Sequence, residues 1–292
     1  HATTYTCLMF LEKSEQEEFE FLKVNTLDVW KKNCEHPSNK ISTESLNIRE
    51  WNFAVGSGLK LFTKLETMPI KLGDIAYLFV GLQTSADNVF LFKDVTKTGS
   101  QKIFVSSKVL SESIPIEADI LKPVIRSGKI GRYWATSSAL VLFPYKKVDG
   151  KFTLLSENNI QKEYPETWKY FLRNEKLLSE REGGKFKKSG WYQLYPKNLD
   201  TWEQPKIMIP YMVTRLSAYY DEQNNYFVNV TTGGFGLTII NGNESQKFLT
   251  GLLNSKLLDW IMKRISTSFH GGYIPANKQF LVQLPIRTIN FS

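Results

Sequence analysis

Apolar side chains recur at helical spacing over residues 248–265, and this feature most strongly constrains how the chain of 292 residues can fold. Their positions follow the i, i+3, i+4 rule of an amphipathic helix that buries one face. They are Phe248, Leu249, Leu252, Leu253, Leu257, Leu258, Ile261 and Ile265. The spacing predicts one long helix, and Asn243 is of a residue type that caps helix starts.

Short apolar segments elsewhere are typical of buried strands. Residues 75–80, 139–144, 206–210 and 237–240 are apolar and are bounded by glycine, proline or polar residues. A second helix is predicted over residues 164–182, which open with a proline in the first turn and carry apolar side chains near one face. Because strands and helices do not alternate strictly, the sequence predicts an α+β fold, mixed and β-rich with peripheral helices.

Weaker local patterns give further predictions. Strands are predicted over residues 19–24, 88–92 and 102–105, helices over residues 26–32, 59–66 and 120–123, a loop over residues 35–45, and a hairpin from residues 215–220 and 226–230.

The start of the chain has the composition of a buried strand. Residues 3–11 are β-branched, aromatic and apolar, and an acidic segment follows them. A buried strand in first position is typical of the last strand of a larger domain. We therefore interpret the chain as a fragment, and a natural N-terminal strand is the alternative.

The composition excludes several classes of protein. No run approaches the roughly 18 apolar residues that a membrane-spanning helix needs, and the chain shows no signal peptide. Two cysteines, Cys7 and Cys34, are too few for a disulfide framework, and no Cys/His cluster suggests zinc. We therefore expect a soluble, cytoplasmic protein without a membrane partner.

Positive charge is concentrated in one part of the chain. The formal net charge is +8, and residues 121–151 contain seven basic residues against the single acid Asp149. Such a segment suits a polyanionic partner, and a solvated protein surface is the alternative interpretation.

Familiar catalytic motifs are absent from the sequence. It contains no GxSxG, no P-loop, no HExxH and no GxGxxG that opens a helix. It also lacks the Asp/Asn-Pro-Pro-aromatic segment with which amino-methyltransferases hold a flipped base. Of the three histidines, only His270 lies outside the terminus and a polar linker. No catalytic residue, cofactor-binding residue or metal ligand is therefore assigned in this chain.

Four glycine-bearing loops combine cations or hydrogen-bond donors with aromatic rings. They comprise residues 81–84, 128–134, 185–192 and 268–273. Cations neutralise phosphates, glutamine reads adenine edges, and aromatic rings stack on bases. The candidate DNA-binding residues are Gln83, Thr84, Lys129, Arg132, Tyr133, Lys187, Lys188, His270 and Tyr273. Each loop alone could also be a structural turn or a solvated surface loop, and residues 128–134 could be a basic loop that Trp134 anchors in the core.

An ordered series of motifs in residues 70–286 resembles the TaqI-like C-terminal specificity domain. Its members are residues 70–75 (IKLGDI), 81–90 (GLQTSADNVF), 121–133 (LKPVIRSGKIGRY), 205–210 (PKIMIP), 252–257 (LLNSKL) and 271–286. Ser85 stands where this family often has glycine. The N-terminal residues 2–11 are similar to a late strand of the catalytic domain of adenine-specific DNA methyltransferases.

The resemblance implies a division of the chain into three parts. Residues 1–30 would be the remnant edge of a methyltransferase domain, residues 31–69 a linker with a short helix, and residues 70–292 the target-recognition domain. The parent enzyme would transfer a methyl group from S-adenosylmethionine to adenine N6, with its cofactor site upstream of this chain. The implied partners are double-stranded DNA and the methyltransferase domain in cis.

Two other functions remain open at this point. The chain could be a separate specificity subunit that docks on methyltransferase chains. A stand-alone nuclease is the third possibility, but the acidic pair Asp221-Glu222 is not followed by the lysine that a PD-(D/E)xK site needs.

Overall fold

The computed structural model describes residues 8–22, 24, 26–33, 38–46, 53, 58–98, 101–188, 190–195, 201–229, 233–241, 245–267 and 269–287. Within these residues, no helix is both long and apolar enough to cross a membrane.

Strands and helices occur in similar proportion, so the predicted α+β class is confirmed. The strands are β1 (Glu18–Leu22), β2 (Ser38–Ser42), β3 (Ala76–Val80), β4 (Leu91–Phe92), β5 (Val95–Thr98), β6 (Lys102–Ser107), β7 (Glu112–Glu117), β8 (Leu121–Ile125), β9 (Ile130–Gly131), β10 (Trp134–Ala135), β11 (Ala139–Leu142), β12 (Tyr145–Val148), β13 (Lys151–Leu154), β14 (Lys206–Pro210), β15 (Met212–Val213), β16 (Tyr219–Asp221), β17 (Tyr226–Phe227), β18 (Gly234–Ile239) and β19 (Ile274–Pro275).

The helices are short and lie mainly in the second half of the chain. They are α1 (Leu27–Asn33), α2 (Leu59–Glu66), α3 (Leu72–Ile75), α4 (Asp87–Phe90), α5 (Glu157–Glu163), α6 (Pro165–Arg173), α7 (Glu175–Ser179), α8 (Arg181–Gly184), α9 (Gln246–Leu253), α10 (Lys256–Ile265) and α11 (Lys278–Leu281).

Two four-stranded sheets organise the fold. One has the order β17-β8-β11-β4, in which β17 is parallel to β8, and the other is antiparallel with the order β16-β14-β18-β3. Smaller pairings surround them: the three-stranded sheet β5-β6-β7 and the two-stranded ribbons β1-β2, β9-β10, β12-β13 and β15-β19.

Each large sheet has its own hydrophobic core. The first core lies around β8, β11 and α6, and its largest fully buried side chains include Phe90, Phe143, Phe171 and Trp202. The second core joins β14 and β18 to α2, α9, α10 and α11. Burial of this apolar area is the main stabilising term of the fold.

The predicted long helix is in fact two helices. α9 ends at Leu253 and α10 starts at Lys256, and the Ser255 side chain accepts a hydrogen bond from Leu258 N as the cap of α10. Ser245 caps α9 in the same way. Asn243, the predicted cap, lies outside the described residues. The apolar spacing continues across the break because both helices bury an apolar face in the second core.

The predicted hairpin of residues 215–230 is also wrong. β16 pairs with β14 in one sheet, whereas β17 pairs with β8 in the other. The Asp221 carboxylate accepts hydrogen bonds from Gln223 N, Asn225 N and Asn225 Nδ2. This carboxylate-held turn sends the chain from one sheet to the other instead of back along the same strand.

Other differences are local. Residues 88–92 begin as the helical turn α4 before β4, residues 120–123 lead into β8 rather than a helix, and the predicted loop at 35–45 contains β2. β2 pairs with β1 across the predicted boundary between residues 30 and 31. Residues 8–11, the described part of the predicted first strand, are exposed and are not in a strand.

A buried ion pair holds β14 and β16 together. Lys206 Nζ lies 2.7 Å from Asp221 Oδ2, and both side chains are fully buried. Lys206 Nζ also donates to Trp202 O at 2.9 Å. Burial lowers the pKa of Lys206, and the Asp221 charge opposes that shift. Removing one partner would leave the other charge unpaired in the core.

We therefore predict that Asp221→Ala lowers the free energy of unfolding by about 3–5 kcal/mol, as measured by urea denaturation. Glu222→Ala is the matched control, since Glu222 makes an exposed ion pair with Lys247 and should leave the unfolding midpoint unchanged. Equal stability of the two variants would contradict this role of the buried pair.

Candidate nucleic-acid interface

The segment after β8 forms a tight turn that presents two aromatic rings. β9 and β10 pair Gly131 with Trp134 across the turn. A Cβ on Gly131 would lie 2.3 Å from Trp134 Nε1, so only glycine allows the indole to lie against the backbone. Tyr133 has φ +65°, a conformation that is uncommon for residues other than glycine. These two features give the turn a defined backbone shape.

Buried Asn254 anchors this turn from the break between α9 and α10. Its side-chain Oδ1 accepts from Ala218 N at 2.9 Å, and its Nδ2 donates to Ala218 O at 2.8 Å. The same Ala218 O accepts from Tyr133 N at 3.0 Å. Arg132 Nη2 donates to Asn254 O at 2.9 Å. One buried amide thus joins the turn, the approach to β16 and the helix break.

The side chains of the turn divide into exposed and anchored groups. Lys129 is exposed, and Tyr133 and Trp134 are 58% and 50% exposed. Trp134 therefore does not anchor residues 128–134 in the core, as the alternative interpretation of this loop would require. Ile130, which is buried, is the residue that does so. Arg132 is partly buried, and its Nε has no hydrogen-bond partner among the described residues.

A second corner of the candidate site is organised by buried Arg181. Its guanidinium donates to the carbonyl oxygens of Thr84, Trp191 and Gln193, and its Nε donates to Leu178 O. It also lies 4.2 Å from the ring centroid of Phe186. Burial lowers the pKa of Arg181 to about 10. This arginine holds the segments 83–84 and 186–193 against each other.

The two candidates of residues 81–84 have different surroundings. Gln83 is partly exposed, and its carbonyl accepts from Tyr195 N at 2.8 Å. Thr84 is 2% exposed, and its hydroxyl bonds the Asp87 carboxylate and accepts from Ala86 N at 3.0 Å. Its hydroxyl therefore shapes the start of α4, and we leave Thr84 out of the contact surface proposed below.

The remaining candidates lie on two loops. Lys187 and Lys188 are exposed beside buried Phe186. Tyr273 is 46% exposed, and its carbonyl accepts from Phe269 N at 2.7 Å, which closes the loop around residues 270–272. The backbone of His270 is described, but its side chain is outside the described part of the structure.

Hydrogen bonds link the first three loops in space. Tyr195 N donates to Gln83 O, Asn229 N donates to Leu82 O at 2.9 Å, and Val228 N donates to Ile125 O at 3.1 Å. These bonds connect residues 185–195, which include Lys187 and Lys188, through residues 82–83 to the end of β8. The aromatic turn begins directly after β8.

The fourth loop is connected through residues 212–218. β15 pairs with β19, directly after Tyr273. Asp259 Oδ1 on α10 accepts from Leu216 N at 2.8 Å, and Ala218 O accepts from Tyr133 N. Hydrogen bonds, strand pairing and the chain between them therefore connect all four predicted loops.

The basic segment 121–151 is not a single patch. Lys122, Lys146 and Lys147 line a cleft of about 240 Å³ together with Tyr145, Tyr226 and Glu203. Lys147 pairs with Glu203, which also accepts a hydrogen bond from the Tyr226 hydroxyl. Burial would raise the pKa of Glu203, but the hydrogen bonds from Tyr226 and Lys147 together lower it. Part of the positive charge is therefore compensated here, unlike at exposed Lys129.

The comparison with protein families identifies the second half of the chain. Residues 145–286 match the TaqI-like C-terminal specificity domain. This confirms the resemblance inferred from the motifs, over a shorter range than residues 70–286. The matched residues thus include the Arg181 corner, Asn254 and the loop of Tyr273, whereas Gln83 and the aromatic turn precede them.

Two curated relatives match a larger share of the chain than the family model does. The chain is 24% identical to the type II restriction enzyme and methyltransferase RM.Eco57I of Escherichia coli, over 99% of this chain and 30% of that protein. It is 22% identical to the type II methyltransferase M.BanIII of Aneurinibacillus aneurinilyticus, over 72% of this chain and 33% of that protein. The chain therefore spans about a third of the length of these relatives.

Sequence reasoning missed the two buried polar anchors of the site. Asn254 was part of a quoted motif but was given no role, and Arg181 fell within a predicted helix. Their partners are almost all backbone atoms distant in sequence, so no local pattern marks them. Within the described residues, no three His, Cys, Asp or Glu side chains group as a metal site.

We predict that Asn254→Ala destabilises the protein by about 1–3 kcal/mol, because the buried Ala218 N loses its acceptor. Amide hydrogen exchange at Ala218 should accelerate relative to the unchanged protein. Ser255→Ala is the control, since it removes the cap of α10 and leaves the Ala218 contact intact. Unchanged protection of the Ala218 amide in Asn254→Ala would contradict the anchoring role.

Proposed function

We propose that this chain is the DNA sequence-recognition module of an S-adenosylmethionine-dependent adenine-N6 DNA methyltransferase of a restriction-modification system. The observation that carries the proposal is the match of residues 145–286 to the specificity domain. Exposed cations on the connected loops support it, because neutralisation of phosphates supplies much of the affinity of a protein for duplex DNA.

In the proposed complex, the chain positions duplex DNA and does no bond chemistry. Lys129, Lys187 and Lys188 contact phosphates, and partly buried Arg132 fixes the turn and adds positive potential. Gln83 and Tyr273 face base edges or the groove rim, and the loop that contains His270 forms part of that rim. The methyltransferase domain, which uses S-adenosylmethionine, extrudes the target adenine while the module holds the duplex.

A fused enzyme is favoured over a separate specificity subunit. Nearly the whole chain aligns with 30% of a relative whose name combines restriction enzyme and methyltransferase. A stand-alone nuclease centred on Asp221 and Glu222 is disfavoured, because Asp221 is fully buried and paired with Lys206. A carboxylate in that position is not open to a magnesium ion.

The charge contacts make a quantitative prediction about salt. Replacing Lys129, Lys187 and Lys188 together by alanine should weaken binding to a labelled 40-base-pair duplex pool of random sequence. The slope of log K against log salt should fall by about 0.9 for each phosphate contact removed. Fluorescence polarisation from 50 to 200 mM salt measures both quantities.

Lys60, Lys162 and Lys176, exposed residues on α2, α5 and α7, provide a matched triple alanine control. The control removes the same net charge, but from residues outside the proposed DNA-binding loops. Its slope should therefore stay near that of the unchanged chain. Equal slopes for the two triple variants would remove these lysines from the DNA footprint. If the unchanged chain binds no duplex even at 50 mM salt, the proposed function itself is wrong.

A further inference from the structure

We propose that Tyr133 and Trp134 form an aromatic wedge that stacks on the bases of an opened base-pair step in duplex DNA. This inference rests on the DNA binding proposed above, and it adds a specific physical action to that binding. Both side chains are at least half exposed although they are large rings that proteins usually bury.

The rings stand on a rigid support. Tyr133 N is bonded to Ala218 O, and Arg132, the residue before it, donates to Asn254 O. Trp134 lies against Gly131 at a distance that leaves no room for a side chain there. A wedge has to keep its shape while it separates stacked bases, and a backbone fixed at a positive φ meets that requirement.

The charge around the rings favours nucleic acid over a protein partner. Lys129 is exposed on the same turn, and the Arg132 guanidinium lies 5.7 Å from the Tyr133 ring centroid. Residues 121–148 contain no acidic side chain. Rings surrounded by cations suit a base stack that is flanked by phosphates.

A second pair of exposed rings lies on a loop attached to the same segment of the chain as the wedge. Phe269 and Tyr273 are 47% and 46% exposed on the loop that leads into β19. β19 pairs with β15, which begins the segment that ends at Ala218 beneath the wedge. Both aromatic loops are therefore attached to residues 212–218.

The test compares two 30-base-pair duplexes of one sequence, of which one carries a single central abasic site. Because a wedge must separate stacked bases, it binds more tightly where the stack is already interrupted. The unchanged chain should prefer the abasic duplex by at least about fivefold, the lower end of measured stacking effects. Polarisation competition at 50 mM salt gives the ratio.

The double variant Tyr133→Asn with Trp134→Ala should reduce that preference to below about twofold, the level expected when no stacking contribution remains. Asparagine tolerates the positive φ, so the turn keeps its backbone. Tyr133→Phe alone should retain the preference, since the ring remains. Tyr77→Ala is the control, because this exposed ring lies on β3, at the opposite edge of the sheet from β16.

The outcomes separate the two proposals. If the unchanged chain binds both duplexes equally well, or if the double variant keeps the preference, the wedge is wrong and DNA binding stands. If the unchanged chain binds neither duplex, the proposed function fails and the wedge with it. Thermal denaturation of each variant confirms that the comparison is made on folded protein.

Discussion

The buried side chain of Asn254 is the interaction on which the candidate interface depends. A primary amide has both a donor and an acceptor, so it can satisfy the N–H and C=O of one residue at once, as Asn254 does with Ala218. The site is fully buried, where an unpaired backbone group would be costly. The residue is also the C-cap of α9 and directly precedes Ser255, the N-cap of α10. The helix break and the aromatic turn therefore meet at one buried residue.

Arg181 plays the corresponding role at the other corner. Its partners are carbonyl oxygens and the faces of Phe90 and Phe186, so its charge is stabilised by dipoles and rings. The planar guanidinium presents five N–H donors in a fixed fork, whereas a lysine ammonium presents three. Burial lowers its pKa, but a value of about 10 keeps it charged at neutral pH. The donors needed to hold segments 83–84 and 186–193 are thus permanently available.

Local sequence patterns predicted the elements that local physics determines. Apolar segments such as residues 206–210 became the fully buried strand β14, and residues 59–66 became α2. The patterns failed where distant polar contacts decide the path of the chain. Asp221 diverts the chain between two sheets, and Asn254 interrupts a helix whose apolar periodicity continues. The loops of the site were recognised by composition, but whether Thr84 is exposed or buried depends on Arg181 and Asp87, which composition does not reveal.

Ala218 and Arg181 hold loops of the candidate interface through backbone atoms of those loops. Ala218 O holds Tyr133 through its N–H, and Arg181 holds Thr84 through its carbonyl. Among the described residues, the exposed side chains of Lys129, Tyr133, Trp134 and Lys187 make no hydrogen bond that holds their loops, and their only close packing is of Trp134 on Gly131, Lys187 on Gly184 and the Tyr133 ring near Arg132. A scaffold built in this way can change the side chains that would meet DNA in the proposed complex without losing the loop conformations that present them. That separation of support from contact is what a domain specialised for sequence recognition requires.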